Sequence, residues 1–277
     1  DKNLLKNSTL YVNLEPCSHW GKTPPCAEKI IEMKIPQVVV GTVDTTEKVA
    51  GKGVDMMRKA GIIVETGILE SESRFINRRF FTFHEKKRPY IILKWAQTKD
   101  RFIDKIREKD APIQPTWITG DIEQTLVHKW RTEEQAIIVG TNTAKNDNPK
   151  LNSRNWKGQN PVRIVIDKKN SIKKNFNLFD NSVKTICFNE EKQFVENENL
   201  IFVKKNLKIE FLEQILHYIY KHNYQSLIVE GGQKLLQSFI DRDLFDEIRV
   251  FEAEKIFSDG IKAVSYTHLT LPTKRIV

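Results

Sequence analysis

Short apolar runs alternate with amphipathic segments along almost the whole chain, and this alternation constrains the fold more than any other feature. Runs such as QVVVGTVD, YIILKWA and SLIVEGG are rich in β-branched residues and predict buried strands. Segments such as CAEKIIEMKI, ESESRFINRRFFTFHEKK and IEFLEQILHYIYKH have the apolar spacing of amphipathic helices. Strands that alternate with helices predict an α/β architecture throughout the chain.

The length of the chain and a charged linker predict two domains. A chain of 277 residues is long enough for two domains of ordinary size. The segment HEKKRPY, residues 84–90, is charged, contains a proline and comes directly before a new apolar strand. We therefore expect one domain over residues 1–87 and a second over residues 88–264. Residues 265–277 show neither a helical nor a strand period and are expected to be a tail of unclear origin.

The composition indicates a globular protein that does not enter a membrane. Hydrophobic residues make up 39% of the chain and charged residues 29%, a balance that is typical of folded domains. No apolar run approaches the roughly 20 residues that span a bilayer, and no secretory leader is visible. Three cysteines are too few for a disulfide framework, which favours a reducing, cytoplasmic location.

The net charge of +9 is the one property of the composition that could indicate nucleic acid. The lysines and arginines are spread along the chain, however, and form no basic run. Small anionic ligands such as phosphates explain a dispersed basic excess at least as well.

The segment LEPCSHWGKTPPCAEKII, residues 14–31, is the first that indicates chemistry. Cys17 is expected to follow a strand end, and Cys26 to lie in the first turn of a helix, where the helix dipole stabilises a thiolate. Zinc prefers thiolate and imidazole ligands. Cys187 stands alone in a distant strand, so no second cysteine pair completes a structural zinc site. The alternative is a pair of free cysteines in a loop stiffened by prolines.

Polar groups at predicted strand ends indicate a second site. A buried strand ends near Lys94 and is followed by Thr98 and Asp100, and ligands of α/β sheets bind at the carboxyl ends of strands. The VEGG segment, residues 229–232, places two glycines before a helix, where the backbone can approach a phosphate. Solvated turns are the alternative for both segments.

Taken together, these segments resemble a known family. EPCSHWGKTPPC and the stretch from Asp44 to Gly53 resemble the zinc motif of the nucleoside deaminases, and most closely that of the bifunctional deaminase–reductases of riboflavin biosynthesis. WITG, AIIVGTNTAKNDNPKLNSR and LIVEGGQKLL follow in the order of the reductase half of that family. The resemblance implies a partial, three-layer cytidine-deaminase-like domain followed by a dihydrofolate-reductase-like α/β domain.

The resemblance also implies an activity. Family members deaminate a phosphoribosylated diaminopyrimidine with a zinc-bound hydroxide and a proton-shuttling glutamate, and they reduce its ribose to ribitol with NADPH. The implied cofactors are Zn²⁺ and NADPH, and the implied partner is a small phosphorylated pyrimidine. Neither nucleic acid nor a membrane is expected as a partner, whereas a homo-oligomer is.

Several residues match functional positions of the family in the first domain. Cys17 and Cys26 match two of the three zinc ligands. The positions that hold the pyrimidine and its ribose phosphate are matched by Ser18, His19, Lys22 and Asp44.

In the second domain, Lys94 and Glu230 match polar residues near the site of hydride transfer and are the catalytic candidates, with Glu230 also a substrate contact. Further substrate contacts are implied for Arg131, Leu151 and Arg154. The NADPH positions are matched by Ala96, Trp117, Thr119, Thr143, Asp147, Gly231 and Gly232.

The chain departs from the family pattern in one important respect. None of its six histidines is followed two residues later by glutamate, so the family's His-x-Glu motif is not in this sequence. We expect the missing ligand and glutamate to lie upstream of Asp1 in a longer protein, and this chain to bind zinc poorly and not to deaminate. The reductase half is likewise expected to be incomplete at its C-terminal end.

Smaller departures are Thr46, where the family has asparagine, and Arg101, where it has glycine. His128 is expected to pack within the fold or to face solvent, and a catalytic role is disfavoured.

Two other functions remain open at this point. One is a stand-alone deaminase with a degenerate second domain, which would bind no NADPH. The other is a zinc-dependent nucleic-acid-binding module, which would bind with a steep dependence on salt.

Overall fold

The computed structural model describes residues 2–21, 23–46, 49–108, 110–206, 210–265 and 273–276, with only the backbone at residues 2–3 and 273–276. The chain divides into two compact units, the first ending at Arg88 and the second beginning at Pro89. In the part of the chain that is described, no helix is both long and apolar enough to cross a membrane.

The first unit is a small α/β unit built on a parallel sheet. Its strands are β1 (Thr9–Leu14), β2 (Gln37–Thr42) and β3 (Ile63–Thr66), hydrogen-bonded in that order. Its helices are α1 (Lys2–Leu5), α2 (Cys26–Glu32), α3 (Lys52–Lys59), α4 (Glu70–Ile76) and α5 (Arg78–Lys86).

Helices α2 and α3 cover one face of this sheet. Ala27 and Ile30 of α2 and Met57 of α3 pack in one buried cluster with Val38 and Val40 of β2. Val38 and Val40 face these helices, whereas Val39 is buried on the opposite face of the sheet. The central strand β2 is therefore apolar on both faces.

The strands and helices of this unit confirm the sequence interpretation with two exceptions, of which the first is the short helix α1, which was not predicted. A single helix was predicted over ESESRFINRRFFTFHEKK, whereas the structure has two, α4 and α5, separated at Asn77. The Asn77 side chain donates a hydrogen bond to the Ser73 carbonyl at 2.9 Å. Asparagine competes in this way with the helical backbone, and the helix breaks there.

The second unit contains one large sheet and a separate pair of strands. Its strands are β4 (Tyr90–Thr98), β5 (Phe102–Asp104), β6 (Ala136–Gly140), β7 (Val162–Ile166), β8 (Thr185–Asn189), β9 (Phe194–Asn197), β10 (Leu200–Lys204), β11 (Ser226–Val229), β12 (Glu247–Ala253), β13 (Ile261–Lys262) and β14 (Thr273–Ile276). Its helices are α6 (Asp121–Glu133), α7 (Thr141–Asp147), α8 (Phe211–Lys221) and α9 (Gln233–Ile240), with a 3₁₀ turn at Asn177–Phe179.

Nine strands of this unit pair in the order β14-β12-β4-β11-β6-β7-β8-β10-β9. The neighbours are parallel except for β9, which runs antiparallel to β10. Strands β5 and β13 form a separate antiparallel pair. Parallel strands direct their carboxyl ends to one edge of the sheet, where loops can build a site.

Helices cover both faces of the large sheet. Leu216 of α8 and Phe239 of α9 pack with Leu93 of β4 on one face. Trp130 of α6 packs with Ile92 of β4 on the other face. Because successive strand residues point to opposite faces, β4 must be apolar at nearly every position, as its sequence YIILKWAQT is up to Lys94.

Four elements of the second unit were not predicted: helix α7 and the short strands β5, β9 and β13. No regular structure was predicted for the tail, yet residues 273–276 form β14 beside β12. Pairing with a neighbouring strand can impose β structure on a segment with no period of its own. Residues 266–272 and 277 of the tail lie outside the described residues.

Replacement of Gly53 by alanine is expected to lower the free energy of unfolding of the first unit by about 1–3 kcal/mol. A Cβ atom at Gly53 would overlap the carbonyl oxygen of Pro16, which is backbone and cannot rotate away. Gly21→Ala is the matched control, because nothing lies within 4 Å of a Cβ atom there. Hydrogen exchange of the β2 amides in denaturant measures the stability of this unit. Equal protection in the two variants would contradict the close approach.

Candidate active site

A cavity of about 990 Å³ lies at the carboxyl ends of neighbouring strands in the second unit. Lys94 of β4, Gly140 of β6 and Glu230, directly after β11, line it from the sheet. These three strands are adjacent in the order β4-β11-β6, so the fold places the middle of β4 beside the carboxyl ends of β11 and β6.

Three charged side chains form a buried cluster on the floor of this cavity. The Arg131 guanidinium donates from Nε to Glu230 Oε1 at 2.9 Å and from Nη2 to Glu230 Oε2 at 2.7 Å, a two-point contact. Lys94 Nζ lies 3.9 Å from Glu230 Oε2. Two cations share one carboxylate, so the cluster carries an excess positive charge inside the cavity.

The pKa values of this cluster show which group holds its proton. Burial alone would raise the pKa of Glu230, but the charges of Arg131 and Lys94 outweigh it and lower the pKa to about 2. Burial lowers the pKa of Lys94 below its ordinary value, and the attraction of Glu230 opposes that change. At neutral pH Glu230 is therefore an ionised acceptor, and Lys94 loses its proton more readily than an exposed lysine.

A strained turn after α7 brings further groups to the cluster. Leu151 is buried and has φ = 47°, in the left-handed region that a leucine rarely adopts. The next residue, Asn152, accepts a hydrogen bond from Arg131 Nη1 on its carbonyl oxygen at 3.0 Å. Arg154 Nη1 donates to the Asn152 side chain at 3.1 Å. The turn thus places Arg131 and Arg154 near each other, and their repulsion contributes to a lowered pKa of Arg154, of which burial is the main cause.

His128 lies beside these arginines, on the same face of α6 as Arg131. It is only 4% exposed and lines the cavity, so of the two predicted alternatives it packs within the fold and does not face solvent. Burial first, and then the charges of Arg131 and Arg154, lower the pKa of His128 to about 4. The imidazole is therefore neutral at physiological pH. It is expected to support the turn at Asn152, with whose backbone it shares a hydrogen bond.

The two glycines of VEGG are required for close packing and not for an unusual backbone. Neither has a positive φ angle. A Cβ atom on Gly231 would lie 2.6 Å from Leu235 Cδ2, and one on Gly232 would lie 3.1 Å from Thr143 Oγ1. The amide of Gly232 donates to that same hydroxyl at 2.8 Å. The glycines thus allow the start of α9 to lie directly against α7.

A second ionic cluster closes the other side of the cavity, and sequence reasoning missed most of it. Arg107 Nη2 lies 2.7 Å from Asp147 Oδ1 and 3.0 Å from Asp104 Oδ2. The hydroxyl of Thr116 donates to Asp104. Burial raises the pKa of Asp147 to about 6, although Arg107 opposes that change. No sequence signal marked Arg107, because its partners come from separate parts of the chain.

In the first unit, the two predicted metal ligands lie together. The Cys26 amide donates to Cys17 Sγ at 3.3 Å, and the Ala27 amide donates to the Cys17 carbonyl at 3.1 Å. The pKa of Cys26 is raised, first by its hydrogen bond with Cys17 and then by burial. The predicted direction of the Cys26 pKa was wrong, because the neighbouring Cys17 sulfur and burial both raise it.

Glu15, two residues before Cys17, holds the loop that follows β2. Its buried carboxylate accepts hydrogen bonds from the amides of Asp44, Gly51, Gly53 and Val54, at 2.9–3.1 Å. Sequence reasoning missed this role, although a glutamate between a strand and Pro-Cys is a visible signal. Asp44, a predicted substrate contact, is thereby fixed near the strand end that carries Cys17.

The remaining candidates of the first unit lie in the cysteine loop. Ser18 is half-buried and His19 is exposed. Lys22 lies outside the described residues. Within the described ranges, no group of three or more histidine, cysteine, aspartate or glutamate side chains is arranged to hold a metal ion.

Comparisons with known proteins identify the family. The sequence model of the RibD C-terminal domain matches residues 89–266, and that of the cytidine and deoxycytidylate deaminase zinc-binding region matches residues 2–42. The riboflavin biosynthesis protein RibD of Aquifex aeolicus is 38% identical over 264 residues, which cover 92% of this chain and 72% of the relative. The chain belongs to the RibD family.

Solved RibD structures agree with this assignment. The Thermotoga maritima diaminohydroxyphosphoribosylaminopyrimidine deaminase/5-amino-6-(5-phosphoribosylamino)uracil reductase is 36% identical, with a TM-score of 0.81 over 95% of this chain and 73% of that chain. Acinetobacter baumannii RibD is 29% identical, with a TM-score of 0.82 over 94% of this chain and 72% of that chain. The predicted fold class, a cytidine-deaminase-like domain followed by a dihydrofolate-reductase-like domain, is confirmed.

The RibD candidates of the second unit converge on one cavity. Every residue predicted for catalysis, substrate or cofactor in this unit lines it: Lys94, Ala96, Trp117, Thr119, Arg131, Thr143, Asp147, Leu151, Arg154, Glu230, Gly231 and Gly232. Their individual roles stay predictions. Arg131 is already committed to Glu230, which leaves Arg154 as the more available of the two arginines for an anionic ligand.

Proposed function

We propose that this RibD-family chain acts in riboflavin biosynthesis, with a zinc-dependent pyrimidine deaminase domain that lacks the family's His-x-Glu motif and an NADPH-dependent reductase domain. We assign the deaminase domain to residues 1–87 and reduction to residues 88–264. The substrate class is the phosphoribosylated aminopyrimidines that are named for the Thermotoga maritima relative. The observation that carries the reductase assignment is the convergence of the twelve candidates on one cavity around the Lys94–Glu230–Arg131 cluster.

The charges of the cavity fit a phosphorylated substrate and its reduction. NADPH, when bound, supplies the hydride, and reduction at the ribose also requires a proton. Lys94 is the best donor of that proton, because burial lowers its pKa while the charge of Glu230 favours its protonated form. Glu230 is ionised and acts as the counter-charge, so we assign it a positioning role toward Lys94 and Arg131. The guanidinium of Arg154 is suited to the substrate phosphate.

The residues proposed for NADPH lie on both sides of the cavity. Trp117 and Thr119 come from the segment before α6, and Thr143 and Asp147 come from α7. The amide of Gly232 donates a hydrogen bond to the hydroxyl of Thr143. This bond fixes the start of α9 relative to α7 beside the cavity.

Lys94→Met is expected to slow reduction by about 10²–10⁴-fold, the usual contribution of a positioned acid. The loss of NADPH absorbance in the presence of 5-amino-6-(5-phosphoribosylamino)uracil measures the rate. The unaltered enzyme is expected to slow as pH rises through the lowered pKa of Lys94, below its ordinary 10.5.

Lys99→Met serves as the control, because this lysine follows the same strand but makes an exposed pair with Glu254. Full activity of Lys94→Met would exclude the assigned role of Lys94. Absence of NADPH oxidation by the unaltered chain would contradict the reductase assignment as a whole.

For the deaminase half, we propose Cys17 and Cys26 as zinc ligands, with Ser18, His19, Lys22 and Asp44 as substrate contacts. The adjacent sulfur atoms supply two ligands, whereas a catalytic zinc site has three protein ligands and a water. The described residues alone therefore do not form a complete zinc site, and we derive no step of deamination from them.

Titration with Co²⁺ is expected to produce a thiolate-to-cobalt charge-transfer band, because two sulfur donors lie side by side. The band should disappear in Cys17→Ser and in Cys26→Ser. Cys187→Ala is the matched control, because Cys187 is buried in β8 and belongs to another unit. An unchanged band in the two serine variants would contradict the ligand assignment.

We also propose a cytoplasmic location and a homo-oligomeric state. The location is supported by the three cysteines, which are all free thiols. The homo-oligomer rests on the resemblance to the family alone.

A further inference from the structure

The Arg107 side chain connects three separate segments at the rim of the cavity. Its Nε donates to Asp104 at 3.1 Å, at the end of β5. One terminal nitrogen donates to the carbonyl oxygens of Gln114 at 2.8 Å and Asn146 at 2.9 Å. The other donates to Thr116 at 3.5 Å and to Asp147 at 2.7 Å. These contacts use the five N–H donors that a guanidinium possesses.

Two of these segments carry proposed NADPH contacts. Residues 110–120 form no helix or strand and carry Trp117 and Thr119. Helix α7 carries Thr143 and ends at Asp147. A segment without regular structure gains its position from side-chain and tertiary contacts. Arg107 supplies two hydrogen bonds to this segment and two to α7.

We propose that Arg107 is a positioning residue that holds residues 110–120 against helix α7 and so keeps the two sides of the cofactor site at a fixed separation. The inference rests on the proposed NADPH-dependent reduction and extends it to a residue outside the predicted set. Arg107 is itself fully occupied by protein partners, so it acts on the cofactor through Asp147 and through the backbone of residues 110–120.

The same contacts make Arg107 the counter-charge of Asp147. Asp147 is faced by one cation, Arg107, and by a second carboxylate, Asp104, which favours its neutral form. Burial already raises the pKa of Asp147 to about 6, and Arg107 limits that rise. Loss of the Arg107 charge must therefore raise the pKa of Asp147 further, and any pH dependence of binding that reports on Asp147 must move to higher pH.

Two substitutions separate the charge of Arg107 from its geometry. Arg107→Lys keeps a cation near Asp147 but offers three donors at one point, which cannot span the same partners. Arg107→Met removes both the charge and the donors. Arg242→Ala is the control, because Arg242 follows the end of α9 and contacts Glu213 and the Ser238 carbonyl outside this cluster.

The experiment measures hydrogen exchange of the amides of residues 110–120 in the ligand-free chain, and then the Kd for NADPH as a function of pH. Both Arg107 variants should exchange faster in this segment and bind NADPH about tenfold more weakly, as expected if the competent arrangement falls to about a tenth of the population. Only Arg107→Met should move the midpoint of the pH dependence to higher pH.

Each result decides a different point. If residues 110–120 of both Arg107 variants exchange as slowly as those of the unaltered chain and of Arg242→Ala, the inference is overturned, whether or not NADPH binds. Faster exchange with unchanged NADPH affinity would overturn the positioning role. Absence of NADPH binding to the unaltered chain would contradict the proposed function, while the exchange measurement would still test the restraint by Arg107.

Discussion

The burial of Lys94, Glu230 and Arg131 at the carboxyl ends of the strands is the interaction on which the second unit depends. Each charge comes from a different element: Lys94 from β4, Glu230 from the end of β11 and Arg131 from α6. Removal of one partner from a buried ion pair leaves an uncompensated charge and commonly costs about 3–5 kcal/mol. The sheet order and the position of α6 must therefore be correct together. The same cluster leaves an excess of positive charge in the cavity that we propose binds an anionic substrate.

Both units use a buried carboxylate to fix the groups around it, and they do so differently. Glu15 accepts four backbone amides and holds the loop of Asp44 near the strand end that carries Cys17. Glu230 accepts a guanidinium and orients side chains. The contacts of Glu15 with amides stabilise one backbone conformation. The contacts of Glu230 with Arg131 and Lys94 lower the pKa of Glu230 and oppose the lowering of the Lys94 pKa. The second arrangement is the one suited to proton transfer.

The sequence predicted the larger elements because their apolar periods are long, as in β4, α8 and β12. It missed α7, whose seven residues TNTAKND have almost no apolar face, and β9, which pairs only at the edge of the sheet. Only Lys94 and the VEGG segment were indicated by their predicted places at strand ends, and the other candidates in the cavity were implied by the resemblance to the family. The roles of Arg107 and His128 could not be predicted, because they depend on contacts with Asp147 and Asn152 that no local pattern encodes. The break of α4 from α5 at Asn77 similarly depends on one side-chain hydrogen bond.

The central claim is that the cavity of the second unit transfers a hydride to the ribose of a phosphorylated aminopyrimidine. The most direct measurement uses NADPH that carries deuterium at the transferable position of the nicotinamide ring, with mass spectrometry of the product. The account predicts a product with one deuterium on the former ribose carbon skeleton, formed by this chain and greatly reduced in the Lys94→Met variant. A product without deuterium, or no reduced product from the unaltered chain, would contradict it.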